Sequence, residues 1–210
     1  MEANSLMSRI DRNLYRATNR LADHTGWAHG VVRFYAKDGI VVFAVLLLAA
    51  WFGLTSLTPI QSVAKAVWAG SGALLALAIN QPIGSAISRA RPYTTIANMH
   101  LLVDKTKDFS FPSDHATIAD AVAAGVLLVN RRLGIVAIVA ALAMAFARVY
   151  VGAHYPGDVA AGLALGATVT VVLSALGLRL IEPVLQVLSK TPMRAVITAN
   201  RQSETKLDRS

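Results

Sequence analysis

The sequence predicts an all-α membrane protein, a polytopic helix bundle in which N-terminal interfacial helices precede about five transmembrane spans. Of its 210 residues, 55% are hydrophobic and only 15% are charged. The mean hydropathy of +0.51 is well above that of an ordinary soluble domain. Three stretches long enough to cross a hydrocarbon core contain no charged residue, and these are 39–57, 66–88 and 159–178. Runs of this length are helical, because a segment in lipid must satisfy its own backbone hydrogen bonds.

Residues 1–38 are predicted to form interfacial amphipathic helices rather than a span. Arginines are interspersed with large apolar side chains throughout this segment, so no window in it is apolar enough to cross a membrane. The first long apolar run begins only at residue 39, which is too late for a signal peptide. We therefore expect this N-terminal segment to stay in the mature chain.

Two further spans are predicted between the second and the last of these charge-free stretches. The stretch 113–130 contains three ionisable residues, whereas 133–147 is apolar throughout but short. With these two, the expected membrane domain covers 39–188. A polar C-terminal tail, 189–210, follows it.

The net charge of +8 does not by itself indicate a nucleic-acid-binding protein. The 20 basic residues are spread over loops and both tails, with no basic stripe and no stacking aromatics beside them. We therefore expect them to contact anionic lipid headgroups, and we expect no nucleic acid and no obligatory protein partner. The chain has no cysteine, which excludes disulfides, thiolate metal sites and a cysteine nucleophile.

Ionisable residues collect at one face of the predicted bundle. Consecutive spans with short connections alternate in direction, so the end of the second span, the start of the third, the end of the fourth and the start of the fifth share one side. That side carries RARPY (89–93), FPSDHA (111–116), Arg148, His154 and Asp158. Guanidinium groups match phosphate oxygens and imidazole titrates near neutral pH, so this set predicts an anion site with acid/base capability.

Local signals predict how two of these helices begin. Ser113 follows a proline and is typical of an N-cap, which directs free backbone N–H groups and the positive end of the helix dipole at the site. Pro156 suits the first turn of the fifth span. Asp158 is placed to accept a hydrogen bond from the ring of His154 and so to fix its tautomer.

Three polar side chains near the site are open to a second interpretation. Asp114 is equally consistent with local helix capping and with a role at the site. Asn80 and Gln81 lie in the middle of the second span, where polar side chains more often hydrogen-bond between helices than touch substrate.

These residue types favour phosphoryl transfer by a histidine nucleophile, without metal or cofactor. Phosphoryl transfer needs charge neutralisation, a nucleophile and a proton donor for the leaving oxygen, and the set supplies each. The DxD pair of the aspartyl-phosphate route is absent, and the five histidines are not spaced like metal ligands. The alternative from another class is a membrane protein that binds or transports an anion, although binding alone does not need two titratable histidines.

Three segments carry a pattern that points to a known family. They are RP at 91–92, FPSDHA at 111–116 and ARVYVGAHYPGD at 147–158. They resemble the signature KxxxxxxRP, PSGH and SRxxxxxHxxxD of the type 2 phosphatidic acid phosphatase superfamily. The resemblance implies that His154 attacks phosphorus, Asp158 orients and polarises it, and His115 protonates the leaving oxygen. It implies that the phosphoryl oxygens are held by Arg91, Ser113 and Arg148.

The sequence departs from this signature at three positions. The family lysine falls at Gly84, the PSGH glycine is Asp114, and the serine of the third motif is Ala147. Unless the lysine contact is absent altogether, we expect another cation to replace it, and the candidates are Arg89, Lys105 and Lys107. The PSDH form, with HLLV at 100–103 ahead of it, looks most like the bacterial undecaprenyl-diphosphatase branch, the bacitracin-resistance type.

The expected function is therefore that of an integral membrane lipid phosphatase. The favoured substrate is a polyprenyl diphosphate, and phosphatidylglycerophosphate or phosphatidate is the alternative, because selectivity depends on groove shape and on the loop 93–111. Basic residues on both faces leave the orientation open by charge counting. The resemblance implies a multi-pass protein of the cell membrane with an extracytoplasmic active site.

Overall fold

The computed structural model of the chain describes residues 2–52 and 58–194. The described residues form helices joined by turns and loops, without a strand among them, which confirms the predicted all-α class. The helices are α1 (Glu2–His24), α2 (His29–Asp38), α3 (Ile40–Phe52), α4 (Pro59–Ile87), α5 (Pro92–Thr95), α6 (Asp114–Val129), α7 (Arg131–Tyr150), α8 (Pro156–Val172) and α9 (Ser174–Leu188).

Among residues 2–52 and 58–194, fewer helices than expected are long and apolar enough to cross a membrane by themselves. The segment Ile60–Thr95, which comprises most of α4 together with α5, and helix α7 (Arg131–Tyr150) meet this test. The pair α8 and α9, bent by 53°, adds a third if it is one span. Helix α3 is apolar but shorter. The end of its predicted span, 53–57, and most of the predicted tail, 195–210, lie outside the described residues.

Helix α6 is short and carries two aspartates, yet it lies in the middle of the bundle. It packs against α3, α4, α7 and α8. Most of its residues are buried, and many of them are small, among them Ala119, Ala121 and Ala123. The surrounding helices separate α6 from lipid, so it need not be as long or as uniformly apolar as a lipid-facing span.

Helix α8 approaches the backbone of α6 closely at Gly166. A Cβ at this position would collide with the Thr117 carbonyl oxygen and would lie 2.8 Å from the Ala121 nitrogen, so glycine permits the spacing. Nearer the start of both helices, the Ser113 N–H donates to the Asp158 carbonyl oxygen at 3.0 Å. The first turns of α6 and α8 therefore lie side by side.

Helix α1 packs across the loops at that same end of the bundle. Its inward face presents Asp11, Tyr15, Asn19 and Ala22, all of them buried. Asn19 holds the backbone of His100 by two hydrogen bonds, donating to its carbonyl oxygen at 2.7 Å and accepting from its N–H at 2.9 Å. The exposed residues of α1 include Arg9, Ile10, Arg12, Leu14, Arg16, Arg20 and Leu21. The arginine and apolar side chains that suggested an interfacial helix are thus exposed on α1. The position of α1 at the membrane interface stays a prediction.

Helix α2 brings the N-terminal segment still closer to the predicted site. It begins beside the end of α7, where the hydroxyl oxygens of Thr25 and Tyr150 lie 2.6 Å apart. Toward its end, the carbonyl oxygen of Ala36 accepts a hydrogen bond from Arg148 Nη1 at 3.0 Å. The predicted N-terminal segment therefore contributes directly to the surroundings of a signature arginine.

Candidate active site

The charged residues converge, as predicted, on a cavity of about 280 Å³ at one end of the bundle. The cavity is bordered by the end of α2, by α5 and the loop after it, by the start of α6 and by the end of α7 with its following loop. Its charged and imidazole lining residues are Lys37, Arg91, Asp104, Asp108, Asp114, His115, Arg148 and His154. Of the predicted site residues, only Ser113 and Asp158 are not in this wall.

His154 is held in one orientation with a reactive nitrogen directed at two arginines. Its ring is 2% exposed, and Nδ1 lies 2.8 Å from the Ser110 carbonyl oxygen, so Nδ1 carries the proton that is donated there. Nε2 then holds a lone pair, 3.1 Å from Arg91 Nη1 and 3.3 Å from Arg148 Nη2. Burial, together with the charges of Arg148 and Arg91, lowers the pKa of His154 well below its ordinary value. The ring is therefore neutral, and its unprotonated nitrogen lies beside two cations.

Each of the two guanidinium groups is held by a backbone carbonyl oxygen. Arg91 is 6% exposed and donates from Nη1 to the Ala153 carbonyl oxygen at 3.1 Å. Arg148 is 8% exposed and is tied to Ala36 in the same way. Its Nε is buried and has no hydrogen-bond partner among the described residues, which leaves a donor for an anion.

Asp108 is a cavity residue that the sequence did not reveal. Its carboxylate accepts from Arg91 Nη2 at 2.8 Å. Burial by itself would raise the pKa of Asp108, but hydrogen bonds from Thr106 and the charge of Arg91 lower it below the usual value. The segment DKTKD gives no signal for this pairing, because alternating charges in a loop usually indicate a solvated surface.

The predicted hydrogen bond from His154 to Asp158 is wrong. Asp158 is fully buried, and its Oδ2 lies 3.9 Å from Nδ1 of His154, beyond hydrogen-bond distance. The carboxylate is occupied instead by Ser110 Oγ at 2.5 Å, by the Tyr155 N–H at 2.9 Å and by Arg89 Nη1 at 2.6 Å. The Ser110 carbonyl oxygen thus fixes the tautomer, and Ser110 lies between the Asp158 carboxylate and the ring.

Helix α6 begins after Ser113, as predicted, but the Ser113 side chain does not cap the helix. Ser113 occupies the N-cap position in an extended conformation, yet its side chain makes no capping bond. Its Oγ is buried and has no hydrogen-bond partner among the described residues. Asp114 accepts hydrogen bonds from Asn80 and, at 3.2 Å, from Gln81, which confirms the interhelical role predicted for both amides. Asp114 also lines the cavity, so the structure favours a role at the site over local capping.

The cation that reaches the cavity in addition to the two arginines is not one of those expected. Arg89, one of the candidates to replace the family lysine, is paired with Asp158 and with Asp11 and does not line the cavity. The loop lysines that were the other candidates, Lys105 and Lys107, are not among the lining residues. Lys37 of α2 does line the cavity, with Nζ 4.0 Å from Asp104 Oδ2. This position of Lys37 was not predictable, because Lys37 is remote in the chain from every motif.

Comparison with known proteins agrees with this arrangement. The family model of the PAP2 superfamily matches residues 65–181. Undecaprenyl-diphosphatase BcrC of Bacillus subtilis is 33% identical over 155 residues, which are 73% of this chain and 77% of that protein. The putative undecaprenyl-diphosphatase YbjG of Escherichia coli is 30% identical over 163 residues, which are 77% and 79% of the two chains.

A solved structure supports the fold. The transmembrane PAP2 type phosphatidylglycerolphosphate phosphatase from Bacillus subtilis superposes with a TM-score of 0.56 at 19% identity, covering 81% of this chain and 86% of that one. The family match spans more than half of the present chain and contains all three signature segments. The chain is a membrane phosphatase, and it belongs to the PAP2 superfamily.

Proposed function

We propose that this phosphatase removes the terminal phosphate of a polyprenyl diphosphate through a phosphohistidine intermediate on His154. The observation that carries the proposal is the position of His154 Nε2, unprotonated and within 3.3 Å of guanidinium nitrogens of both Arg91 and Arg148. A nucleophile between two cations is the arrangement that phosphoryl transfer requires, since the transferred group carries its charge on three oxygens. The named activity of the relative BcrC supports the choice of substrate.

The reaction proceeds in two displacements at phosphorus. In the first, Nε2 of His154 forms a P–N bond while the bond to the bridging oxygen breaks, and His115 gives its proton to that oxygen. In the second, water attacks the phosphohistidine and His115 accepts a proton from it, which releases inorganic phosphate and restores the free ring. Arg91 and Arg148 neutralise the phosphoryl oxygens in both steps.

The surroundings of His154 fit the charge that its ring acquires. When Nε2 bonds to phosphorus, the ring becomes cationic, and the hydrogen bond from Nδ1 to the Ser110 carbonyl oxygen becomes stronger. The Asp158 carboxylate, 3.9 Å from Nδ1, adds an opposite charge inside a buried site. These two groups offset part of the cost that burial and the two arginines impose on a cationic ring.

We expect phosphate release by the purified protein in detergent to persist in excess EDTA and to be blocked by vanadate. The arginines supply the positive charge, and no group of three or more His or carboxylate residues in the described ranges is placed to hold a metal ion. Vanadate imitates the five-coordinate phosphoryl group in transfer. The inorganic phosphate released is measured with several lipid phosphates as substrates. Loss of activity in EDTA that a divalent ion restores would contradict the mechanism, and the absence of any phosphate release would favour an anion-binding or transport protein.

Lys37 is expected to favour diphosphate over monophosphate substrates. Lys37 lines the cavity from α2, and its ammonium group lies 4.0 Å from the carboxylate of Asp104, another lining residue. The second phosphate of a diphosphate would be the added anion for this cation to pair with. Because Lys37 is largely exposed, we expect Lys37→Ala to lower kcat/KM on polyprenyl diphosphate by about three- to tenfold, with a smaller loss on phosphatidate. Lys107→Ala removes the same charge from a residue outside the wall and is the matched control. Equal losses on both substrates would favour the phospholipid alternative.

The proposal places the cavity on the extracytoplasmic side of the cell membrane. The chain has no cysteine, so single cysteines report sidedness without background. Lys105→Cys marks the loop beside the cavity, and Arg132→Cys marks the opposite end of α7. A membrane-impermeant maleimide is expected to label the first variant and not the second in intact cells. The reverse labelling pattern would put the cavity on the cytoplasmic side.

A further inference from the structure

Asp11 of the N-terminal helix is bonded to the segment that carries His154 and Asp158. It is 8% exposed and lies well before the part of the chain that the family model matches. One carboxylate oxygen, Oδ1, accepts from the Gly157 N–H at 2.7 Å. The other, Oδ2, accepts from Nη2 of Arg89. One oxygen of this carboxylate therefore bonds the start of α8, and the other bonds the arginine that follows α4.

Arg89 joins this carboxylate to the buried carboxylate of the site. Its second amino group, Nη1, donates to Asp158 Oδ1 at 2.6 Å, and its guanidinium lies 4.1 Å from the centroid of the Tyr155 ring. Asp11 thus holds the Tyr155–Asp158 turn in two ways, directly through the N–H of Gly157 and indirectly through Arg89. An arginine between two largely buried carboxylates has a defined position, because each of its amino groups is bonded to one of them.

A continuous series of contacts leads from Asp158 to the nucleophile. The hydroxyl of Ser110 donates to Asp158 Oδ2, while the carbonyl oxygen of the same residue accepts from Nδ1 of His154. The carboxylate therefore orients the ring through Ser110 and through the turn that joins the two residues. Any shift of Asp158 or of this turn is transmitted to the direction in which Nε2 points.

The contact between the helices depends on a glycine. A Cβ on Gly157 would lie 3.1 Å from Asp11 Oδ2 and 3.3 Å from Asp11 Cγ, closer than most Cβ atoms come to a neighbour. Tyr15, one turn further along α1, supports the same approach with its ring centroid 5.5 Å from that of Tyr155. Its hydroxyl donates to the Gly152 carbonyl oxygen at 3.4 Å. The chain thus places α1 directly against both ends of the loop that carries His154.

We propose that Asp11 is a positioning residue for His154, so that the N-terminal helix α1 completes the active site. The inference rests on the proposed role of His154 as nucleophile. Asp11 does not reach the cavity and touches no reacting atom. It keeps Arg89, Asp158 and the Gly157 backbone in the arrangement that directs Nε2 between the two cavity arginines.

The test compares Asp11→Ala, Asp11→Asn and the control Asn13→Ala, whose side chain is exposed on the same helix. A small displacement of a nucleophile costs rate rather than affinity, so we expect Asp11→Ala to lower kcat by about ten- to a hundredfold with little change in KM. The kcat of Asp11→Asn is expected to lie between those of Asp11→Ala and wild type. Its amide oxygen still accepts a hydrogen bond from the Gly157 N–H, although the charge facing Arg89 is lost. Asn13→Ala is expected to behave as wild type.

Gly157→Ala provides the reciprocal test. Its added Cβ presses on the Asp11 carboxylate, so we expect a loss of kcat in the wild-type background and little or no further loss in the Asp11→Ala background. Losses that multiply in the double variant would overturn the proposed contact. A lowered unfolding midpoint with unchanged kcat per folded enzyme in Asp11→Ala would make Asp11 a structural anchor only and would also overturn the proposal.

A readout that does not need the lipid substrate separates this inference from the proposed function. Diethyl pyrocarbonate modifies neutral imidazoles, and mass spectrometry measures the rate at which the His154 ring is modified. We expect the rate to change in Asp11→Ala and not in Asn13→Ala. An unchanged rate would overturn the positioning role. A changed rate in a protein that releases no phosphate from any lipid would support the positioning role while it contradicts the proposed function.

Discussion

Replacing His154 with alanine is expected to abolish phosphate release, with kcat lower by about 10⁴-fold or more. The remaining groups, including Arg91, Arg148 and His115, can bind and polarise a lipid diphosphate but have no nitrogen placed to attack it. Water in the space of the missing ring lacks the orientation that the Ser110 carbonyl oxygen gives Nε2. The loss should therefore appear in kcat, and substrate binding should largely remain.

Two variants separate this loss from misfolding. His154→Asn keeps a hydrogen-bond donor for the Ser110 carbonyl oxygen but has no nucleophilic imidazole, and it is expected to fold and to be as inactive as His154→Ala. His24→Ala changes an exposed histidine on α1 and is expected to keep the wild-type rate. An appreciable rate in His154→Asn, measured as phosphate release by folded protein, would remove His154 as the nucleophile.

Replacing His115 with alanine is expected to lower kcat by about 10²- to 10⁴-fold on substrates whose leaving oxygen needs a proton. His115 lies in the cavity wall at the first turn of α6. As the P–O bond breaks, negative charge develops on the leaving oxygen, and the missing imidazole can no longer protonate it. An aryl phosphate with a strongly acidic phenol as leaving group does not need this proton, so its rate should fall much less.

The leaving-group dependence is the measurement that checks this role. We compare kcat/KM of wild type and His115→Ala on an alkyl phosphate and on an aryl phosphate with an acidic leaving group. A large loss on the first and a small one on the second is expected for a general acid. A loss of equal size on both would mean that His115 binds the phosphoryl group rather than protonating the leaving oxygen.

The convergence of the signature residues was predictable because it depends on topology alone. Arg91, His115, Arg148 and His154 lie at or beside the ends of successive helices of the bundle, and successive membrane-crossing helices alternate in direction. The sequence therefore placed these four at one end of the bundle. The cavity that they line confirms this placement.

The number of spans was less predictable, because the criterion for a span assumes that a helix faces lipid. Helix α6 carries two aspartates but lies inside the bundle, and Asp114 at its start accepts hydrogen bonds from Asn80 and Gln81 of α4. Burial among other helices changes which residues a membrane helix can carry.

The contacts that hold the site together were not predictable, because they come from residues remote in sequence. The spacing of His154 and Asp158 suggested a direct hydrogen bond, but Ser110 lies between them in space and takes both partners. The charges of Asp11 and Lys37 looked like ordinary charges of an interfacial segment. Only the packing of α1 and α2 on the loops brings Asp11 to Arg89 and Lys37 to the cavity.

The central claim, a covalent phosphohistidine on His154, is tested most directly by trapping the phosphorylated enzyme. Wild-type protein is mixed with polyprenyl diphosphate that is isotopically labelled in its terminal phosphate, quenched in alkali within the first turnover, and digested for mass spectrometry. We expect the label on His154, stable in alkali and lost in acid, and absent from His154→Asn. Turnover of the labelled substrate with no label on the protein, or with label on another residue, would contradict the account.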